Sequence, residues 1–371
     1  MSSFSLKPQH QPKPVDLLIV GGGPAGLCAA VEAAPFGLEI LVVDENDRFG
    51  GQLVKQTHKF FGSKLQRAGT RGLVIGEDLV SELKERDNVR LWGESHVLGI
   101  YPDGTVTLEQ AGIYRKFRPR ATIVASGAAE KFLPFPGNDL PGVYGAGAVQ
   151  TLMNLHGVLP AKRLLMVGAG NIGLIVSYQL LQAGCEVAAI VEGLPKYGGY
   201  QVHASKIARA GVPILTRHTI LEARGSERVE GAVIARIDDN WQPISGTEQE
   251  IECDAICLAI GLSPQNALLR MAGAEQLMLR ELSGWVPRRN TVGMTTVERL
   301  YVAGDAGGIE EASSAMIGGR IAGLDAARQL DLVEETPYNE RMKQLQGELA
   351  GLRAGPEGKH IRSGMEKAAI G

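Results

Sequence analysis

Three short runs in this chain combine residue types and spacings that can hold a phosphorylated cofactor. The first is Gly21-Gly22-Gly23-Pro24-Ala25-Gly26, a G-x-G-x-x-G pattern. Gly21 permits a tight strand-to-helix turn. Gly23 carries no side chain to obstruct a pyrophosphate, and Gly26 lets helix and strand pack closely. A helix opening at Pro24-Ala25 aims unpaired N–H groups and a partial positive charge at phosphate. Asp44, with Glu45 beside it, stands 18 residues after Gly26, where a carboxylate accepts hydrogen bonds from ribose hydroxyls. A dinucleotide is expected on these residues.

The second run, Gly168-Ala169-Gly170-Asn171-Ile172-Gly173, repeats the pattern, and Glu192 follows Gly173 by 19 residues. An acid at that place favours an unphosphorylated 2′-hydroxyl, hence NAD over NADP. Arg163, the nearest upstream arginine, is on the wrong side to clamp a 2′-phosphate. Another adenine nucleotide, or a retained fold with an empty site, stays open for this run. The third run is Tyr301-Val302-Ala303-Gly304-Asp305, an apolar stretch ending in Gly-Asp.

The elements that must position these residues follow from patterning. Val15 to Val20 and Leu38 to Val43 are apolar runs of strand length flanking an alanine-rich helix over Leu27 to Gly37, a β-α-β unit. Lys162 to Val167, a helix over Leu174 to Ala183 and Glu186 to Val191 repeat that unit, with Gly168 standing 147 positions after Gly21. Arg120 to Ala125 is a strand ending in Ser126-Gly127, and Asp254 to Ile260 is another ending at Gly261. A Pro/Gly-rich stretch, Phe132 to Gly142, reads as an extended crossing between domains. A strand over Leu300 to Val302 precedes a small-residue helix over Ala312 to Leu330. The expected organisation is a flexible tail over 1–14, a discontinuous FAD-binding domain over 15–138 plus 262–330, an inserted NAD(P)-binding domain over 139–261, and a polar C-terminal tail over 331–371.

Composition narrows the class. A length of 371 residues predicts two domains. The 48 glycines are about twice the usual share and show no collagen period, which points to tight turns and close backbone approaches. A net charge of −3 gives no sign of nucleic-acid binding. No apolar run reaches the length of a membrane span, and the polar Lys7 to Pro14 stretch is unlike a signal peptide, so the expected compartment is the cytoplasm. The seven histidines show no metal spacing. Four scattered cysteines make no disulfide framework. Cys253 and Cys257, at i and i+4 on a strand, would share a face about 13 Å apart, too far to bridge. They are expected to be small core residues.

Taken in order, the three runs resemble the two-dinucleotide-binding-domain flavoproteins. The implied fold is α/β, with two Rossmann-like FAD/NAD(P)-binding domains of the glutathione-reductase and thioredoxin-reductase kind, one inserted in the other. The resemblance implies FAD at the first glycine run and a nicotinamide nucleotide at the second. It also implies that Gly304 and Asp305 meet the ribitol and phosphate region of the flavin. Ser126-Gly127 is similar to the short element that closes over FAD, and Gly51-Gln52, in Phe49-Gly50-Gly51-Gln52, to the turn beside the flavin. Gly261 ends the return strand. Further stretches sharpen the likeness: Pro134-Phe135-Pro136-Gly137, Leu140-Pro141-Gly142-Val143, Gly145-Ala146-Gly147-Ala148 with Gln150, Trp285-Val286-Pro287 and Gly304-Asp305-Ala306-Gly307-Gly308-Ile309. Together they resemble the alpha subunits of sarcosine oxidase, opine oxidase, hydrogen cyanide synthase and dye-linked proline dehydrogenase.

That resemblance implies an FAD-dependent oxidoreductase subunit that moves electrons between flavin, NAD(H) and a partner. The partners implied are a small iron–sulfur protein and a second flavoprotein subunit of amine or amino-acid dehydrogenase type. No cysteine follows Cys257, so the four-cysteine cluster domain of many such subunits has no ligands here. Gln52 to Lys59 contains no cysteine either, and disulfide reductases need a pair beside the flavin. No catalytic acid or base stands out. His58 reads as a surface histidine, and Tyr197 to Tyr200 as either a nucleotide contact or a plain turn. Two other functions fit the same residues: a stand-alone NADH:acceptor oxidoreductase, and a non-catalytic scaffold that binds adenine nucleotide.

Overall fold

A computed structural model describes residues 15–60, 63–355 and 358–370. The expected N-terminal tail, 1–14, lies outside the described residues.

Along the chain, Leu17–Val20 (β1), Pro24–Ala33 (α1), Ile40–Val43 (β2), Gly72–Lys84 (α2) and Val89–Trp92 (β3) come first. Ser95–Ile100 (β4), Val106–Gln110 (β5) and Ile113–Phe117 (β6) form an antiparallel meander, followed by Ala121–Val124 (β7) and Ala128–Glu130 (β8). Next are Val143–Gly145 (β9), Ala146–His156 (α3), Arg163–Val167 (β10), Asn171–Gln182 (α4), Glu186–Glu192 (β11), Gln201–Arg209 (α5) and Ile214–Thr216 (β12). A second meander, His218–Arg224 (β13), Gly231–Arg236 (β14) and Gln249–Ile251 (β15), precedes Ala255–Leu258 (β16). Leu262–Pro264 (β17), Ala267–Met271 (α6), the hairpin Gln276–Leu279 (β18) and Gly284–Pro287 (β19), and Leu300–Val302 (β20) lead to three helices, Ala312–Gln329 (α7), Glu335–Leu352 (α8) and Gly358–Ala368 (α9).

Two compact units result, one running to Ala128 and resuming at Ser263, the other spanning Ala129–Leu262. In the first, a parallel sheet has the order β20-β7-β1-β2-β3. In the second, a parallel sheet reads β9-β16-β10-β11-β12. Strand for strand the two sheets match, the first meander lying in the chain between β3 and β7 and the second between β12 and β16. The outer strand next to β7 comes late in the chain, whereas the one next to β16 comes first in its unit. β1, β2 and β7 are buried at every position, as parallel strands covered on both faces must be.

Helix α1 opens with proline, whose missing N–H costs nothing in a first turn. It lies against α7 at backbone contact. A Cβ at Gly319 would sit 2.0 Å from the Ala25 carbonyl oxygen, and one at Gly323 would sit 2.3 Å from that of Ala29. The small residues expected of α7 thus serve a close helix–helix approach. Glu32 on α1 joins this seam to α8. Arg341 donates to it at 2.6 and 2.9 Å, and Arg320 of α7 at 2.9 Å. Burial pushes the Glu32 carboxyl up, but the hydrogen bonds from Arg341 and Arg320 outweigh this and hold it below its usual range.

Three expectations need correction. The Pro/Gly-rich stretch is not the crossing; the chain passes between units at 128–129, and Phe135, inside that stretch, is buried in the second unit's core. Gly137, at φ 78°, is set so that a Cβ would lie 2.6 Å from the Ala223 carbonyl oxygen, so this segment packs on the second meander. The region expected to be a polar tail forms α8 and α9, because Met342, Leu345 and Ala368 supply buried contacts that net polarity concealed. Cys253 and Cys257 are core residues of two different clusters. Strand β16 starts at Ala255, after Cys253, so no strand alternation links the two.

Candidate functional site

The first glycine run occupies the turn from β1 to α1. Gly21 sits at φ 105°, and a Cβ on it would meet the Ala125 carbonyl oxygen at 2.3 Å. A Cβ on Gly26 would lie 1.9 Å from the Gly21 carbonyl oxygen. Both glycines are therefore demanded by the protein's own packing. Gly23 is different: its nearest neighbour would be the Gly51 Cα at 3.8 Å. The fold has room for a methyl group there, so the protein's own packing does not demand glycine at 23. No side chain caps α1, whose N-cap is Gly23, so its first N–H groups stay available along with the dipole. These features fit the pyrophosphate of FAD.

Asp44 is buried at the end of β2. Its Oδ2 accepts the Gly22 N–H at 2.6 Å, and its Oδ1 accepts both the backbone and Nδ2 hydrogens of Asn46 at 2.9 Å. Glu45, next to it, is exposed. The Gly50 N–H donates to the Gly22 carbonyl at 2.8 Å, which lays the Gly50-Gly51 turn on the glycine run, and exposed Gln52 follows. The Phe49 ring covers Gly22, where a Cβ would come within 2.3 Å of Cδ1. Ser126 donates its hydroxyl to the Gln265 carbonyl at 2.6 Å, and the Gln265 N–H donates to the Gly127 carbonyl at 3.0 Å.

The second run repeats this construction. A Cβ on Gly168 (φ 107°) would lie 2.3 Å from the Ala259 carbonyl oxygen, and one on Gly173 would lie 2.0 Å from that of Gly168. Around Gly170, the N-cap of α4, nothing lies within 4 Å of a Cβ. Glu192 ends β11 as Asp44 ends β2, accepting the Ala169 N–H at 2.8 Å and the Leu194 N–H at 3.0 Å. The Gly199 N–H donates to the Ala169 carbonyl at 3.0 Å, and the Tyr200 N–H to Asn171 Oδ1 at 2.8 Å. Ile172, at 42% exposure, is an apolar side chain left open in the first turn of α4. Gly261, exposed at φ 109°, accepts the Lys131 N–H at 3.0 Å.

The late Gly-Asp pair lies at the first glycine run, for a Cβ on Gly304 would be 2.9 Å from that of Ala25. Burial pushes the Asp305 carboxyl up to about 6; the Glu310 N–H at 3.3 Å pulls it down, and the Glu310 charge adds to the rise. Glu310 is gripped by Arg353 through Nε at 2.8 Å and by a second hydrogen bond from Nη2 at 2.5 Å. Burial brings the Arg289 guanidinium down to about 10, an effect the Glu310 charge opposes. Sequence reading missed this cluster because Arg289, Glu310 and Arg353 are scattered along the chain. It also missed Phe49 and Gly199 as parts of a repeated aromatic-Gly-Gly signal, Phe49-Gly50-Gly51 against Tyr197-Gly198-Gly199.

The sequence profile of the pyridine nucleotide-disulphide oxidoreductase family matches residues 15–319. The chain belongs to that family. It is an FAD-dependent oxidoreductase, and the family binds FAD and a nicotinamide nucleotide. An opine oxidase subunit of Agrobacterium tumefaciens (strain Ach5) is 29% identical over 86% of this chain and 66% of its own length. The hydrogen cyanide synthase subunit HcnB of Pseudomonas protegens is 26% identical over 90% and 75%. The sarcosine oxidase alpha subunit of Rhizobium meliloti (strain 1021) is 28% identical over 67% and 24%. The chain thus spans about two thirds, or less, of the opine and sarcosine oxidase subunits. Among solved structures, L-proline dehydrogenase from P. horikoshii superposes with a TM-score of 0.67 at 21% identity, covering 89% of this chain and 58% of that one. Thioredoxin reductase from T. acidophilum does so with a TM-score of 0.71 at 21% identity, covering 86% and 100%. These two show the fold: two dinucleotide-binding domains, as the sequence resemblance implied.

All four cysteines are buried, and burial pushes the Cys28, Cys185 and Cys253 thiols up to about 11 and that of Cys257 higher. His58 is half-buried rather than a surface group. Among the described residues no helix is long and apolar enough to cross a membrane, and no group of three or more His, Cys, Asp or Glu is placed to hold a metal ion.

Proposed function

We propose that this chain is the nucleotide-binding, alpha-type subunit of a multi-subunit amine or amino-acid dehydrogenase or oxidase. FAD is held in the first unit and NAD, or another adenine nucleotide, in the second. The observation that carries the reading is the repeated grip: in both loops the outer glycines are packed shut while the middle glycine has room for a methyl group. When bound, FAD would supply acceptance of one hydride, which carries two electrons, and release of those electrons singly or together. The chain's own residues do the rest. Gly21, Gly23, Gly26 and the start of α1 seat phosphate, Asp44 orients a ribose, and Asp305 meets the ribitol end. Gly168, Gly170, Gly173 and the start of α4 repeat this for the second nucleotide, with Glu192 as the ribose acid.

The partners in this reading are a small iron–sulfur protein and a second flavoprotein subunit. Its support is that the curated relatives are named as subunits of opine oxidase, hydrogen cyanide synthase and sarcosine oxidase. Buried, weakly acidic thiols support hydride rather than dithiol chemistry, since the thiolate is the reactive form. The decisive measurement is an absorbance spectrum of the purified protein before and after anaerobic NADH, repeated with the co-purifying partner and an amino-acid substrate. The expected result is a flavin spectrum, with substrate-driven bleaching only when the partner is present. Full NADH turnover on a soluble acceptor by the isolated chain would replace this reading with a stand-alone NADH:acceptor oxidoreductase. Protein that stays colourless after FAD is added would leave a nucleotide-binding scaffold.

A further inference from the structure

Trp241 is out of place for an ordinary indole. It is 58% exposed, lies in the loop between β14 and β15, and sits at φ 63°, a left-handed conformation that bulky residues seldom adopt. The loop over-determines that conformation. Asp238 Oδ1 accepts the Asn240 and Gln242 N–H groups at 2.9 and 2.8 Å, and the Trp241 N–H donates to the Asp238 carbonyl at 3.1 Å. Strain held by surrounding hydrogen bonds on a solvent-facing residue is a mark of use.

What the loop presents is a flat ring laid on Gly193. A Cβ on Gly193 would lie 2.4 Å from Cζ3, 2.8 Å from Cη2 and 3.3 Å from Cε3, so only glycine admits the ring there. Gly193 directly follows Glu192, the carboxylate at the ribose position of the second glycine run. Two positions far apart in sequence are therefore matched to hold an aromatic plane next to a ribose-binding acid. Arg217 pairs with Asp239 at 2.6 Å, and its backbone N–H donates to the Leu194 carbonyl at 3.1 Å.

We propose that Trp241 is the adenine platform of the second unit: the base of the bound nucleotide stacks on the open part of the indole while Glu192 holds its ribose. The inference rests on the reading of that unit as an adenine-nucleotide site. Each base–aromatic stack is worth about a tenfold change or more in affinity.

The test is isothermal titration of the FAD-loaded full chain with ADP-ribose, NADH and nicotinamide mononucleotide, on wild type, Trp241→Ala and Trp241→Phe. ADP-ribose and NADH are expected to bind wild type and to weaken about tenfold or more in Trp241→Ala. Trp241→Phe, which keeps a ring, is expected to stay within about threefold, and the adenine-free mononucleotide to be indifferent to both changes. An unchanged flavin spectrum and melting curve show that the variants are folded. Wild-type binding that Trp241→Ala leaves untouched would overturn the platform and keep the site. Tighter binding by Trp241→Ala would mark the ring as a cap over the site and overturn it too. No ADP-ribose binding by folded wild type would remove the second-site reading itself, and the platform with it.

Discussion

The two glycine loops are the same device built twice, and their difference lies in what surrounds them. In both, the outer glycines face a carbonyl oxygen at 1.9–2.3 Å from where a Cβ would be, the middle glycine meets no clash, and a strand-end acid takes an N–H from the loop's second residue. In the first unit the late Gly304-Asp305 turn comes up beside α1, and Phe49 covers Gly22. In the second, Ala169 stands where Gly22 does, and Trp241 covers the residue after the acid. The outermost strand next to β7 arrives late in the chain and brings a carboxylate; the one next to β16 arrives early and brings none to the loop. The two loops thus share a backbone device, and what differs is the set of side chains around it.

Substitutions can separate the two demands on glycine. The largest expected effect is from Gly26→Ala and Gly173→Ala, each placing a methyl group inside the contact distance of a carbonyl. Either should cost about 3 kcal/mol or more, read as a lower midpoint in urea unfolding. A midpoint unchanged in either would mean that the loop relaxes freely and that packing does not explain its outer glycines. Next, Glu32→Gln removes the negative charge and one of the two oxygens that accept from Arg320 and Arg341 in the first unit. A loss of about 2 kcal/mol is expected in the first unit, with second-unit ligand binding unaltered. The folded-state pKa of Glu32 is depressed, so its stabilisation is present above the unfolded carboxyl pKa and is lost as pH falls through the lower folded value.

Gly23→Ala and Gly170→Ala should behave in the opposite way to the outer glycines. Thermal unfolding is expected to move little. FAD affinity should fall about tenfold or more in the first, and ADP-ribose affinity in the second, each without disturbing the other site. Cross-effects on the other nucleotide would break the picture of two independent grips. The smallest effect concerns Asp305, whose folded pKa is raised to about 6. A raised acid contributes stability below its unfolded pKa, about 4, and that contribution is lost as pH rises through about 6. Stability of the FAD-free wild type relative to Asp305→Asn should therefore decline across that window, measured as the difference between two melting curves at each pH. A flat difference would show that Asp305 is not desolvated before flavin binds.

Much of this was legible from residue order. Glycine spacing, apolar runs of strand length and an acid at each strand end are local signals, and backbone sterics and hydrogen bonding turn them into β-α-β units with little help from the rest of the chain. The crossing point was not legible, because Phe132 to Gly142 carries the composition of a linker, and only the burial of Phe135 against the second sheet reveals it as part of that unit. Polarity beyond Glu334 allowed a surface helix but concealed the packing of the C-terminal helices, which a few buried residues such as Met342 and Leu345 suffice to anchor.

By itself, then, the sequence determined two glycine turns, the acids that follow them, and the family, because each of those depends on neighbours within a few dozen residues. Tertiary structure alone decided that Gly304 meets Ala25, that Arg353 grips Glu310, and that Trp241 lies on Gly193. Those pairs are tens to hundreds of residues apart. Nothing short of the folded sheets, with their fixed strand order, brings them into contact.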